Sequence, residues 1–218
     1  MDTDHQLRSS GVILIIAGIL FGGFMFFHPP NNPQGAFETR WVPVHMAWFI
    51  SYLLMVVSFI PLYHPISSSG SNLKTTAFWV VFLGNALSLP IAAWDAFVVP
   101  YLARHAPDFI TQMEELSMEA PAVSFRIIVY LAILLFSIGF ILFGFSMIRS
   151  RHALKIISGI CLAVGAPVFW IGALIASSGP LGNMVTIFGS VLFGIGLIIW
   201  GSQLYSGSYD DSDEQAAS

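Results

Sequence analysis

Four side chains in this sequence combine a reactive type with an apolar setting: His28, His45, Asp95 and Arg126. Imidazole accepts or donates a proton near neutral pH and ligates metals through a ring nitrogen. A carboxylate in apolar surroundings carries protons, binds cations or pairs with a base. Guanidinium forks onto carboxylates and phosphates. Together the four could build a proton-linked site or a small-ligand site.

Both histidines belong to one stretch, 27-FHPPNNPQGAFETRWVPVH-45. One directly follows an apolar run and the other directly precedes the next. Pro43 suits the start of a helix, so His45 should lie in its first turn or two. Trp48, Tyr52 and Met55 follow at helical spacing on the same face. Such a face borders a flat ligand or packs on a neighbouring helix.

Asp95 lies in 84-GNALSLPIAAWDAFVVP-100. Stepping back from it along one helical face gives Ala92, Ser88, Asn85 and Gly84, a small and polar stripe. The carboxylate should therefore point into a bundle or a wet crevice. One alternative is an ion pair with Arg126, Arg40 or His45 that locks helices together. Pro90 offers no N–H to Ala86, so an irregularity is expected nearby. Asn85, Ser88, Tyr52, Tyr101, Arg104 and His105 are further candidates for the site.

The histidines also suit zinc, non-haem iron or axial haem ligation, which makes a membrane redox or metal enzyme the alternative reading. No metal-binding spacing supports it: H-x-x-x-H, H-E-x-x-H and C-x-x-C are all missing from the sequence. G-x-S-x-G, phosphate-binding and dinucleotide-binding motifs are missing too. Asp95 has no second membrane carboxylate beside it, so a carboxylate dyad is unsupported. A structural or accessory subunit is the third reading. Neither the catalytic role nor the cofactor can be named from these residues.

The elements that must hold these residues are set by composition. Hydrophobic residues make up 56% of the 218 and charged residues 9%, against about 25% charged in soluble domains. The apolar residues fall in six blocks, at about 11–27, 42–63, 76–101, 125–148, 156–176 and 181–205. Each approaches the roughly 20 residues that cross a bilayer. They should be helices, because a lone segment in lipid must satisfy its own backbone hydrogen bonds. The fold class predicted is all-α, a polytopic membrane protein with six transmembrane helices in one domain over 1–205. The partner implied is the lipid bilayer. No basic patch of the size nucleic acid requires is present.

Charge placement sets the expected orientation. With the N-terminus inside, the inner loops hold Arg8, Lys74, Arg149, Arg151 and Lys155, and the outer loops hold Arg40, Arg104 and Arg126. Both termini are thus expected in the cytoplasm. His28, His45, Asp95 and Arg126 then share the outer membrane depth, on the first four helices. The tail 206–218 carries four acids in its last nine residues and reads as a disordered cytoplasmic extension. The N-terminal segment has no basic n-region or cleavage site and reads as a retained first helix. Within 103–124, Phe109, Met113 and Leu116 recur at helical spacing, as in an amphipathic helix lying on the membrane surface. Cys161 is single and reads as a small buried residue.

Small residues mark expected contacts. Gly18 and Gly22 make a G-x-x-x-G pair, and Gly182, Thr186, Ser190 and Gly194 recur every four residues. A faint echo links 16-IAGILFGGFMF-26 with 138-IGFILFGFSMI-148, which shared apolar composition explains better than an inverted repeat of the transporter kind.

His28-Pro29 closing the first helix, Trp41 to His45 opening the second, Asp95 late in the third and 139-GFILFGFSMIRS-150 in the fourth form a pattern over most of the chain. It resembles small multi-helix bacterial membrane proteins grouped as domains of unknown function. The resemblance implies a bacterial inner (plasma) membrane location. It brings no activity with it.

Overall fold

The computed structural model describes residues 3–30, 34–108, 120–176 and 180–207. Those residues are mostly helical, with no strand among them. Six helices are long and apolar enough to cross a membrane: Asp4–Phe27, Trp41–Ser68, Asn72–His105, Val123–Ile148, Ala153–Ile175 and Leu181–Ser206. They are called the first to sixth spans. The protein is an all-α, multi-pass membrane protein. The acidic tail from residue 208 and the amphipathic pattern over 109–119 lie outside the described residues.

Several helices run further than the apolar blocks suggest. The first begins at Thr3, a full two turns ahead of Gly11. The second continues through Pro61 and Pro65 to Ser68, because Leu62 and Ile66 stay buried against the bundle. Lost backbone bonds beside proline are tolerated inside a membrane bundle where neighbouring groups compensate. The third starts at Asn72, where the Ser71 hydroxyl accepts from the Lys74 N–H at 3.3 Å.

The third span changes pitch near its far end. It is α-helical over Asn72–Ala93, a π-helix over Trp94–Val98, and α-helical again over Val99–His105. The irregularity expected near Pro90 thus falls one turn later and contains Asp95. A π-turn inserts one residue and frees a carbonyl, and such turns recur at functional sites. Here the Asp95 carbonyl accepts from the Trp41 indole N–H at 2.7 Å.

Each span packs on its neighbours in the chain, and the sixth packs on the first, so the helices close a ring. Glycine permits the closure. A Cβ at Gly18 would stand 2.7 Å from the Gly194 carbonyl oxygen, and one at Gly194 would stand 2.6 Å from that of Gly18. Gly11 and Gly201 face each other in the same way at 2.5 Å. Helix backbones that close gain van der Waals contact, the main source of association in lipid. Gly144 and Gly159 join the fourth and fifth spans by the same device.

The middle of the ring is filled with aromatic rings. Phe21 touches Tyr52, Phe136, Phe169 and Phe193, from four other spans. Phe59, Phe143 and Trp200 fill the level toward the N-terminal end of the first span. Leu14, Met55, Leu62, Leu162 and Leu197 complete this core and are fully buried. Large apolar side chains of the other faces, such as Ile19, Leu83 and Phe188, are exposed, as a lipid-facing surface requires.

Candidate functional site

Beyond the Phe169 and Trp48 level the ring is not filled. A cavity of 420 Å³ opens there, within the usual size range of small-molecule sites. All six spans line it. The first gives Phe24 and Met25, with His28 just beyond, and the second gives His45 and Trp48. The third gives Ile91, Trp94 and Asp95, and the fourth Phe125, Arg126, Val129, Tyr130 and Ile133. The fifth gives Phe169, Trp170, Ala173 and Leu174, and the sixth Asn183 and Thr186. His28, His45, Asp95 and Arg126 therefore meet on one cavity.

The histidines are held rigidly. His28 ends a short 3-10 turn, Met25–Phe27, with extended backbone that carries the chain into Pro29 and Pro30. Its Nδ1 lies against the Pro29 carbonyl oxygen. His45 is 3% exposed, one turn into its helix, and its Nδ1 lies 2.9 Å from the Trp41 carbonyl oxygen. The two Nε2 atoms face each other at 3.2 Å, and the rings meet edge to face with centroids 4.8 Å apart. The Trp41 indole stacks on His45 at 4.2 Å and 23°. His28 lies outside the spans. Burial pushes its imidazole below the ordinary histidine pKa. The Pro29 carbonyl opposes that shift, and the Arg40 charge adds to it.

Asp95 is not the structural ion pair that was one expectation. Among the described residues its carboxylate makes no hydrogen bond and no salt bridge. Arg40 instead pairs with Glu38 at 2.6 Å. What fixes the Asp95 backbone is the Trp41 indole. Trp41 thereby touches both His45 and the aspartate segment.

The further candidates separate into two groups, neither of which lines the cavity. Asn85 and Ser88 are buried deeper along the third span, where Asn85 Nδ2 donates to the Val81 carbonyl and the Ser88 hydroxyl to that of Gly84, both at 2.8 Å. Tyr52 is fully buried beside Trp48 and Phe21. Tyr101, Arg104 and His105 are exposed past the π-turn, with Tyr101 stacked on His105 at 4.3 Å. The residues that sequence reasoning missed are on the fifth and sixth spans, Trp170, Asn183 and Thr186 above all. Trp170 is 6% exposed, and its indole N–H finds no acceptor among the described residues. Being uncharged, these residues lacked the signal that marked the first four helices.

The geometry bears on metals. Two imidazoles on opposite sides of a haem iron need nitrogens about 4 Å apart, at about 2 Å per bond, with the macrocycle between them. The Nε2 atoms are closer, and the rings meet directly, so a haem does not fit between them. No three His, Cys, Asp or Glu side chains cluster to hold a metal ion among the described residues. Cys161 is a free, buried cysteine on the fifth span.

Comparison of this chain with protein-family models, with curated proteins and with solved structures finds no match.

Proposed function

We propose that this membrane protein binds a small molecule at the outer end of its helical ring, with His28, His45, Asp95 and Arg126 as the polar contacts. The observation that carries the reading is their convergence, from four separate segments, on one cavity inside an otherwise apolar bundle. Ionisable groups at membrane depth are costly and tend to mark ligand or proton sites. The Asp95 carboxylate, which has no protein partner among the described residues, supports it, because it can accept a hydrogen bond from an occupant. Seven phenylalanine, tyrosine and tryptophan rings line the walls, so the occupant has an apolar body and a small polar head.

Lysine and arginine placement supports an orientation with both termini in the cytoplasm and the cavity toward the outside, in a cell's inner (plasma) membrane. In this arrangement the bilayer is the partner of the helical surface, and ligands arrive from the outer aqueous phase.

Thermal denaturation of the full chain in lipid nanodiscs tests the reading. A panel of small amphipathic acids, amines and neutral polar compounds is added to wild type and to Ala173→Trp, which puts an indole into the cavity. One class should stabilise wild type, by about 2.7 kcal/mol at a hundred times its Kd, and leave Ala173→Trp unmoved. Equal stabilisation of both, or of neither by any class, sinks the proposal.

A further inference from the structure

The two histidines form a line of three contacts. His28 Nδ1 meets the Pro29 carbonyl oxygen, His28 Nε2 meets His45 Nε2, and His45 Nδ1 meets the Trp41 carbonyl oxygen. A carbonyl oxygen only accepts, and two bare ring nitrogens repel, so every contact needs one N–H. Two neutral imidazoles carry two protons for three contacts. Whichever tautomers they adopt, one contact sets lone pair against lone pair.

We propose that His28 and His45 bind one proton between them, shared along the 3.2 Å Nε2–Nε2 contact, as the proton-linked element of the cavity. Adding one proton gives one imidazole and one imidazolium, and all three contacts then hold a hydrogen. A second proton would put two donors face to face, so the pair fills once.

The surroundings suit a single positive charge. Trp41 stacks on His45, and an aromatic face attracts a cation. From the third span Asp95 lines the same cavity with a carboxylate that has no protein partner among the described residues. The opposing charges are Arg126 on the fourth span and Arg40 in the connector, the latter neutralised in part by Glu38. Tyr130 is the other titratable group on the fourth span, and the fifth and sixth spans present no titratable group to the cavity. Burial holds His28 below the ordinary histidine range, so the pair fills on the acid side of about pH 6.5.

This inference deepens the ligand-site reading and takes its cavity from it. A filled pair adds one positive charge to the wall, so an anionic head bound there is linked to proton uptake and a cationic head to proton release.

The test is a titration of tryptophan fluorescence in the full chain, in neutral-lipid nanodiscs, from about pH 8 to about pH 4, the range in which histidines change charge. Protonation next to Trp41 quenches it. Wild type should show one transition that fits a single proton, and His28→Gln and His45→Gln should each remove it entirely. If either single variant keeps a transition, the rings titrate independently and the proposal is overturned. The same follows if the protein carries stoichiometric metal and a chelator restores the transition, because a metal ion then fills the gap. A second measurement isolates the pair: ¹⁵N-histidine solid-state NMR of a chain in which His5, His64, His105 and His152 are replaced by glutamine should show two Nδ1–H groups at all pH values and one Nε2–H gained in acid. Two Nε2–H groups gained overturn the idea. No ligand is needed, so a failed ligand panel leaves this result standing, and an absent transition leaves ligand stabilisation standing.

Discussion

His28 is the residue where burial and charge meet outside the spans. Its folded pKa is lowered, first by burial, while the unfolded chain keeps an ordinary value of about 6.5. Between the two values the unfolded state binds more protons than the folded state. The stability held by the neutral ring is therefore present above about pH 6.5 and lost as pH falls through the folded value. We expect the melting temperature of wild type to drop on acidification and that of His28→Gln to drop less, in parallel melts across the same buffers. His28 and His45 were legible as a pair because each closes or opens an apolar run across one connector. The Nε2–Nε2 contact was not, since it depends on the ring rotation that Pro29 and Trp41 impose through their carbonyls. Asp95 stood out by its charge, but charge pattern did not reveal that its carboxylate has no ion pair among the described residues.

At the scale of elements, glycine governs how closely the spans approach. Gly194→Leu forces a branched side chain into the Gly18 carbonyl and the Gly22 backbone. Overpacking of this kind costs about 1–3 kcal/mol or more. Thermal denaturation should show a clear loss for Gly194→Leu and little for Gly23→Leu, whose Cβ direction is open. The small-residue rows announced such contacts without saying which helices they join. Gly18 and Gly194 prove to be partners of each other, and neither row alone contained that pairing. The π-turn was half legible. Pro90 signalled an irregularity, but the Trp41 indole bond that uses the freed carbonyl joins residues 54 apart, a separation that local pattern does not reach.

At the scale of the whole molecule, six apolar blocks were plain, because a bilayer demands length and apolarity of every crossing segment. The helix ends were less plain, since Pro61, Pro65 and the polar N-terminal residues look like breaks and are carried through by packing. The part of the cavity built by the fifth and sixth spans was hidden for a related reason: neutral aromatic and hydroxyl side chains resemble ordinary span residues. Orientation is the prediction that belongs here. Reporter fusions after Ser69 and after Asp108 should report opposite sides of the membrane, with Ser69 cytoplasmic. The same side for both is incompatible with the spans described, and an exchange of sides would turn the cavity toward the cytoplasm.

Closure of the ring has a consequence for the order in which the chain is written. The seam between first and sixth spans is more extensive than the one between first and second, and Asp4, Arg8, Leu204 and Gly207 line one common crevice at that end. Gly70, in a left-handed turn with φ of 69°, has open space around it. A circularly permuted chain, joined across that crevice and cut at Gly70, would keep all six interfaces. Its new ends would lie on the same side as the old ones, because the cut moves an even number of spans. The architecture is thus a necklace rather than a row, and the cavity is the opening at one end of it.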